Sequence, residues 1–316
     1  MGRFIVRRLL SSIPLLFGVA ILSFVFAQIM PGGPDTLFGR GGRMTREQLD
    51  NIRQNMGLDQ PIHVQLYRWL INLLQGDLGM SYSQHRPVRD VIWEVFPNTV
   101  LLMTTGLLVA MLFSILFGVF AALRQYGLFD GITSFISYFG LAMPVFWFGL
   151  MLQILFAVKL EWLPAAGMHS AGQDGYLDLA KHLVLPGFTI AIGSIAGWSR
   201  YLRSSVIESM EQDFVRTARA KGVKERTVVV SHVLRNAMIP FVTVAAIDIP
   251  LYLTGAVLTE TVFSWPGMGR LFYDSLTVRA YPVLMGIVIL GAVLIVIGNL
   301  IADLLYGLLD PRIKYD

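Results

Sequence analysis

The chain of 316 residues contains no cysteine and few charged residues. Without cysteine, neither a disulfide framework nor thiolate catalysis is available. Charged residues make up 15% of the chain and hydrophobic residues 55%, a balance typical of membrane proteins. No Lys follows a Gly anywhere in the sequence, so the P-loop pattern GxxxxGK[ST] is absent and the chain lacks an ATP-hydrolysing site of that kind.

Motifs for metal binding and catalysis are also missing. The histidines show no ligand spacing such as HExxH, and no G-x-S-x-G nucleophile elbow occurs. We therefore predict no catalytic residue, no metal site and no cofactor in this chain. The five histidines are His63, His85, His169, His182 and His232.

The hydrophobic residues cluster into six blocks, each long enough to cross a hydrocarbon core of ~30 Å as a helix of roughly 20 residues. The first block has a basic stretch before it, but its apolar run exceeds the about 7–15 residues of a signal peptide. We predict an all-α integral membrane protein with six transmembrane helices. The blocks are 9–30, 99–123, 132–158, 183–199, 237–259 and 282–306.

The distribution of Lys and Arg predicts the orientation, because cytoplasmic loops carry the excess of these residues. With both termini inside, fourteen of them are cytoplasmic and only four lie in the two shorter exterior loops. The other seven lie in the long loop 31–98, where seven acids balance them. We therefore predict cytoplasmic N- and C-termini, and attribute the net charge of +4 to membrane topology rather than to a nucleic-acid surface.

Four regions follow from this pattern. Residues 1–30 form the cytoplasmic N-terminus and first span, 31–98 an extracytoplasmic subdomain, 99–306 a five-helix core, and 307–316 a cytoplasmic tail. In the subdomain, a capping box predicts a helix over 46–56, and an amphipathic stretch follows Pro61. A flexible linker is the alternative interpretation of this region. The amphipathic stretch places Ile62, Leu66, Trp69, Leu70 and Leu73 on one face.

The long cytoplasmic loop 206–236 contains the stretch RTARAKGVKERTVVVSHVLRN. Between Arg216 and Arg235 it carries six Lys or Arg against one acid. Asp213 suits an N-cap and Gly222 a left-handed C-terminal position, which predicts a short helix from Phe214 to Lys221. A second helical stretch, 225–237, leads into the fifth span. One interpretation is attraction to anionic lipid, and the other is a helix that docks into a cytoplasmic partner.

Longer motifs decide between these interpretations. The loop resembles the cytoplasmic loop of importer-type ABC permeases, although only Ala218, Gly222 and Leu234 match the general E-A-A, Gly, Ile-x-Leu-Pro pattern. Its version "DFVRTARAKG" followed by "HVLRNAMIP" is similar to that of the dipeptide/oligopeptide/nickel group. Similar stretches run through the whole chain, and the long exterior region resembles the B-type subunit of the permease pair. They include FIVRRLLSSIPLLFGVAILSF, GLDQPIHVQLYRWLINLLQGDLGMS, LTETVFSWPGMGRL and LLDPRIKY.

The resemblance implies a type I ABC importer permease in the plasma (inner) membrane of a prokaryote. It further implies a heterodimeric pore with a second, C-type permease, two cytoplasmic ATPases that bind ATP and Mg, and an extracytoplasmic solute-binding protein. The implied substrate is a peptide, and nickel, glutathione or another small solute is the alternative. A secondary transporter, which works without an ATPase, is the competing class, although no internal repeat is visible. An intramembrane enzyme would need paired catalytic groups at membrane depth, and the predicted spans of this chain do not contain such a pair.

The docking helix is expected to move as a rigid body when the ATPases close. We expect its coupling residues to be Asp213, Arg216, Ala218, Arg219 and Gly222. Ala218 is small enough for a partner surface to approach, and Gly222 permits the turn that follows. The arginines are expected to pair with carboxylates of the partner or, alternatively, to anchor the loop at the membrane surface.

Asp248 is the only ionisable residue near the middle of a predicted span, where a carboxylate is costly and usually faces a bundle interior or an aqueous path. We expect Asp248 to line the pore and to attract a cationic group, or alternatively to be satisfied by neighbouring hydroxyls or the partner permease. Pro250 lies nearby in the same span. Pro144 in the third span predicts a packing kink rather than a gate.

The exterior stretch ETVFSWPGMGRLF combines aromatic residues with Pro and Gly, which predicts a tight turn at the membrane interface. The aromatics suit an interfacial belt. The resemblance adds the alternative that the turn closes the pore or contacts the binding protein. The candidate residues are Phe263, Trp265, Pro266 and Gly267.

Overall fold

The computed structural model describes residues 2–30, 54, 59–81, 83–173, 175–253 and 257–309. The helix expected over 46–56, apart from residue 54, and tail residues 310–316 therefore lie outside the described residues. The described elements are helical apart from one antiparallel pair of two-residue strands, β1 (Met80–Ser81) and β2 (Arg86–Pro87). The helices are α1 (Gly2–Ile29), α2 (Ile62–Leu74), α3 (Val88–Leu123), α4 (Leu128–Ala142), α5 (Val145–Leu152, continued by a π-helical segment Gln153–Lys159), α6 (Tyr176–Met210), α7 (Asp213–Ala220), α8 (Glu225–Thr227, continued by a π-helical segment Val228–Leu234), α9 (Arg235–Leu253), α10 (Val257–Val262), α11 (Met268–Val278) and α12 (Tyr281–Leu309).

Among the described residues, five helices are long and apolar enough to cross a membrane, and a sixth span results if the bent pair α4 and α5 counts as one. Each overlaps one of the six predicted blocks. Two helices run well beyond their blocks, since α3 begins at Val88 rather than 99 and α6 covers Tyr176–Met210 rather than 183–199. Flanking polar residues extend a helix without raising its hydropathy, so hydropathy alone underestimates its length.

The third span is broken. The helices Leu128–Ala142 and Val145–Lys159 meet at an angle of 113°. Met143 is extended, with φ −86° and ψ 132°, because the ring of Pro144 disfavours helical backbone at the preceding residue. Pro144 therefore ends one helix and begins another, a larger effect than the kink predicted from the sequence.

The chain divides into two compact units. The first comprises Met1–Thr99 and Pro266–Val296, and the second comprises Val100–Trp265 and Ile297–Asp316. In the first unit, helix α2 forms as predicted after Pro61, and its Trp69 ring lies 5.7 Å from the ring of Phe24 in α1. Four of the five predicted apolar residues are half-buried, whereas Ile62 is exposed. The half-buried residues are Leu66, Trp69, Leu70 and Leu73.

The second unit is organised around α6, which packs against α4, α5 and α9. Small residues permit these contacts, since a Cβ atom on Gly140 of α4 would lie 3.3 Å from the Ala196 Cβ. Trp198, Leu202 and Val206 of α6 are buried in a hydrophobic cluster that also contains residues of α7 and α9. The cytoplasmic loop predicted from the sequence is thus continuous with the core of this unit.

Gly118 of α3 marks the tightest of these helix contacts. A Cβ atom at this position would lie 2.8 Å from the backbone oxygen of Ser199, which cannot move aside easily. We expect Gly118→Ala to lower the free energy of unfolding by about 1–3 kcal/mol through overpacking. Thermal unfolding in detergent measures the change. Gly131→Ala is the matched control, because the space around Gly131 in helix α4 is open and alanine favours helix there.

Candidate functional site

The candidate docking segment comprises α7, the turn at Gly222 and α8. Helix α7 forms where the sequence predicts it, but the prediction of Asp213 as N-cap is wrong. Gln212 occupies that position with no side-chain hydrogen bond, and Asp213 is the first helical residue. An acid in the first turn still interacts favourably with the helix dipole. The Asp213 carbonyl accepts a hydrogen bond from the Thr217 hydroxyl at 2.9 Å.

The C-terminal end of α7 is strongly defined. Gly222 is left-handed, with φ +75°, as the sequence predicts. Its N–H donates to the Arg219 carbonyl at 2.9 Å, and the Val223 N–H donates to the Ala218 carbonyl at 3.2 Å. These two bonds form a Schellman motif, which satisfies carbonyls that the end of a helix leaves free.

One face of α7 packs into its own chain. Val215 and Ala218 are buried, at 0% and 7% exposure, in the hydrophobic cluster of the second unit. The expectation that Ala218 faces a partner is therefore wrong, because its methyl group is already covered. Small apolar residues are needed on this face for α7 to lie against the core. Phe214, at 40% exposure, is the large apolar side chain of α7 that remains on the surface.

The charged residues of α7 divide into two groups. Arg219 forms a two-pronged ion pair with Glu225, with contacts of 3.1 and 2.6 Å, which ties α7 to α8. This hydrogen-bonded pairing raises the pKa of the Arg219 guanidinium above its usual value. Arg216 contacts Asp213 only weakly, at 3.5 Å, with side-chain exposures of 73% and 96%. Arg219 is thus a structural clamp, whereas Arg216 and Asp213 are available to a partner.

Asp248 lies in α9 and is half-buried. Its carboxylate accepts a hydrogen bond of 2.8 Å from the indole N–H of Trp198 in α6. The Trp198 ring also packs edge-on against Phe241, and nearby the Tyr252 hydroxyl donates to Ser194 at 2.7 Å. The partner of Asp248 within the chain is therefore an indole, and not one of the hydroxyls named in the alternative to a pore-lining role. This contact links two spans and is compatible with a pore-lining role.

The Trp198 contact predicts a difference between two substitutions of Asp248. Asp248→Asn keeps an oxygen acceptor and should leave the unfolding free energy within about 1 kcal/mol of wild type, whereas Asp248→Leu leaves the indole N–H unpaired and should cost about 1–3 kcal/mol. Thermal unfolding of the purified variants in detergent checks this expectation. Equal losses for both substitutions would contradict the hydrogen-bonding role.

The four candidates predicted to lie on the exterior side are buried or hydrogen-bonded within the structure. Phe263 and Trp265 are buried at 2% and 0% exposure. The Phe263 carbonyl accepts a bond of 2.9 Å from the Gly167 N–H. In the first unit, the Pro266 carbonyl accepts a bond of 2.9 Å from the Asn98 side chain, and Gly267 precedes helix α11 as its N-cap. A gating role for these residues remains a prediction.

A partly buried ion pair between Asp130 of α4 and Arg203 of α6 was not predicted from the sequence. Two contacts of 2.6 and 2.7 Å join the guanidinium and the carboxylate, and the Tyr126 N–H donates to the same carboxylate at 2.8 Å. Both residues lie just outside the predicted apolar blocks and are 73 positions apart. The sequence offered only a weak signal for this pair: Asp130 lies just before the third predicted span, and Arg203 lies just after the fourth.

A second missed cluster surrounds Asp178 at the start of α6. Asp178 accepts hydrogen bonds from the Ser170 N–H and hydroxyl at 2.8 and 2.7 Å. The His169 and His182 rings lie 3.5 and 3.6 Å from the carboxylate. Within the described ranges, no group of three or more His, Cys, Asp or Glu residues is arranged to hold a metal ion. The cluster fixes the loop before α6.

Comparison with known proteins places these features in a family. The family model described as "Binding-protein-dependent transport system inner membrane component" matches residues 114–315, and the model of its N-terminal region matches residues 1–103. The chain belongs to this family. It is thus a membrane permease subunit with the type I ABC importer fold, and the predicted resemblance is confirmed.

Several relatives of this permease span its full length. The oligopeptide transport system permease protein AppB of Bacillus subtilis (strain 168) is 43% identical over 317 residues, which cover 100% of each chain. The di/tripeptide transport system permease protein DppB of Pseudomonas aeruginosa (strain UCBPP-PA14) is 38% identical, with 99% and 98% covered. The glutathione transport system permease protein GsiC of Escherichia coli (strain K12) is 37% identical, with 100% of each chain covered.

Proposed function

We propose that this permease forms one half of the pore of an ATP-driven importer for short peptides. Two relatives that match it over almost their entire length are named for oligopeptide and for di/tripeptide transport. The B-type interpretation rests on the exterior region after the first span, which the N-terminal family model also covers. The partner permease, two ATPases and an extracytoplasmic binding protein complete the proposed assembly.

The docking segment supports ATP-dependent coupling. An ABC permease without a P-loop needs ATP hydrolysis from a separate subunit, and α7 has the form of a rigid docking element. Its buried face, Schellman turn and Arg219–Glu225 clamp hold it against the second unit. Asp213, Phe214 and Arg216 project outward from this support, so we infer that they contact the ATPase. Ala218 and Arg219 contribute by positioning α7.

The proposed arrangement places both termini and α7 in the cytoplasm. It assigns residues 31–98 to an extracytoplasmic subdomain and 99–306 to the pore-forming core, with ATP and Mg bound by the partner ATPases. The positive charge of the docking segment supports this orientation. Asp248 is proposed to lie at the pore, where Trp198 fixes its direction. Phe263, Trp265, Pro266 and Gly267 are proposed to form the extracytoplasmic closure.

Glutathione import is a second candidate, because a full-length relative is named for glutathione transport. Glutathione is itself a tripeptide, so the two candidates share a substrate chemistry. Transport assays that compete labelled tri-alanine against unlabelled glutathione distinguish them.

Co-purification tests the proposed coupling. The tagged permease is isolated in mild detergent from its native cells, and its recovered subunits and ATPase activity are measured. We expect a second permease and two ATPases in the wild-type preparation, and a recovery about tenfold lower for Phe214→Asp, since this change places a charge in an apolar contact. Tyr67→Asp is the matched control, because Tyr67 is an exposed aromatic, at 66%, in helix α2, outside the docking segment. A permease that elutes alone with no ATPase would contradict the proposal.

A further inference from the structure

A polar cleft lies on the second unit, beside the end of α6 that leads into the docking segment. Its volume is about 430 Å³, which is within the roughly 300–1,000 Å³ of small-molecule sites. Helix α6 supplies most of the lining and Pro240 of α9 supplies the remainder. The α6 residues that matter here are Arg200, Tyr201, Ser204 and Glu208.

The cleft has a cation at one end and an anion at the other. Arg200, Ser204 and Glu208 are spaced four residues apart, so they share one face of α6. A rise of 1.5 Å per residue puts the backbones of Arg200 and Glu208 about 12 Å apart. Tyr201 and Ser204, which carry hydroxyls, come between Arg200 and Glu208 along the helix and also line the cleft. The arrangement complements a ligand that carries a negative and a positive group at opposite ends.

The Arg200 side chain is held in place without being neutralised. Its guanidinium carbon lies 4.4 Å from the centre of the Tyr138 ring, a cation–π contact. Across the parts of the chain that the structure describes, the ion pairs include neither Arg200 nor Glu208. The ring contact orients the guanidinium and leaves its N–H donors for a carboxylate.

The position of the cleft suits a site on the inner part of a transport path. Helix α6 has 35 residues and is therefore about 52 Å long, which exceeds the ~30 Å hydrocarbon core. Its last turns, which line the cleft, extend toward the docking segment. Pro240 comes from α9, so a relative movement of α6 and α9 changes the width of the cleft.

We propose that this cleft binds the two charged termini of a short peptide, with the carboxylate at Arg200 and the amino group at Glu208. A fully extended chain spans about 3.3–3.6 Å per residue, so three residues reach roughly 10 Å, close to the ~12 Å that separates the backbones of Arg200 and Glu208. The Glu208 carboxylate repels an anionic lipid headgroup, which is therefore a poor occupant of the cleft. This proposal rests on the proposed function and adds a site within this chain.

The absence of cysteine from the chain allows a direct test. Ser204→Cys is introduced, and the complex that co-purifies with the permease is reconstituted in phosphatidylcholine vesicles. Labelling of this chain by a soluble maleimide is then followed against tri-alanine concentration. We expect tri-alanine to protect the cysteine, and N-acetyl-tri-alanine amide, which lacks both charges, to protect it at least about tenfold less well.

Charge substitutions assign the two ends of the ligand. On the Ser204→Cys background, Arg200→Gln and Glu208→Gln should each raise the protecting concentration of tri-alanine about tenfold. Glu211→Gln should not, since Glu211 is exposed at the C-cap of α6 and does not line the cleft. Arg124→Cys provides a labelling site outside the cleft that tri-alanine should leave reactive.

Three results would overturn the proposal. In the first, tri-alanine and its N-acetyl amide protect the cysteine equally well. In the second, phospholipid or the second permease already shields the cysteine from maleimide before any peptide is added. In the third, neither charge substitution changes the protecting concentration of tri-alanine. Binding-protein-dependent uptake of labelled tri-alanine is measured with the wild-type complex in the same vesicles. Uptake of tri-alanine without protection of the cysteine refutes the proposed cleft alone, whereas absence of tri-alanine uptake refutes the proposed function.

Discussion

Gly222→Val is expected to lower ATP-driven uptake about tenfold while leaving the amount of folded permease unchanged. Gly222 has φ +75°, and a Cβ there would meet no atom within 4 Å, so the effect comes from the backbone alone. Left-handed backbone costs a residue with a Cβ roughly 1–2 kcal/mol, and a β-branched residue more. That penalty shifts the equilibrium between the closed and the opened Schellman turn about tenfold toward the opened form, in which α7 is not held for docking.

Gly172→Val is the matched control for this prediction. Gly172 has φ +76° and equally open surroundings, but it lies in the loop between α5 and α6, outside the docking segment. Both variants therefore carry the same backbone strain at different places. Uptake by reconstituted complexes and recovery of the ATPases are measured for each. Equal losses in the two variants would show that strain alone, rather than the docking turn, controls transport.

Breaking the partly buried ion pair between Asp130 and Arg203 should produce the largest loss of stability. The side chains are 6% and 24% exposed. Arg203→Gln leaves the Asp130 carboxylate without its cation, which costs about 3 kcal/mol, the lower end of the range for buried pairs, because Arg203 is partly exposed. We expect the midpoint of thermal unfolding in detergent to fall by roughly 10 °C. Arg203→Lys should recover only part of this loss, because lysine cannot reproduce the two-pronged contact.

The exposed pair Arg86 and Glu94 provides the comparison for this prediction. Their contact is 2.8 Å long, but the side chains are 49% and 63% exposed. Arg86→Gln should change stability by less than about 1 kcal/mol, because water screens the pair. The double substitution Asp130→Leu with Arg203→Met should be more stable than Arg203→Gln, since it leaves no unpaired charge. If the double variant lost as much stability as Arg203→Gln, the unpaired Asp130 carboxylate would not be the cause of that loss.

Features that depend on local sequence were predicted well. Apolar runs located the spans, Pro61 marked the start of α2, and the glycine after a short basic helix gave the left-handed turn at Gly222. Each depends on residues within one or two helical turns, where hydrophobicity and backbone preference act directly. Pro144 likewise signalled a disturbance of the third span, although hydropathy contained no measure of the 113° bend.

Features that depend on packing between distant segments were not predictable in this way. Ala218 looked suited to a partner surface, yet it is buried in its own chain, because which face of α7 turns inward is set by residues of α6 and α9. The Asp130–Arg203 pair joins positions 73 residues apart. The partner of Asp248 is a tryptophan 50 positions earlier in the chain. A single sequence contains no record of such pairings.

Uptake of labelled tri-alanine by the reconstituted complex tests the central claim most directly. Vesicles contain the co-purified permeases and ATPases, with the binding protein added outside and ATP or a non-hydrolysable analogue trapped inside. A peptide importer accumulates tri-alanine only with hydrolysable ATP and the binding protein, and dissipating ion gradients leaves that uptake intact. Uptake that needs an ion gradient but neither ATP nor the binding protein would contradict this account and identify the chain as a secondary transporter.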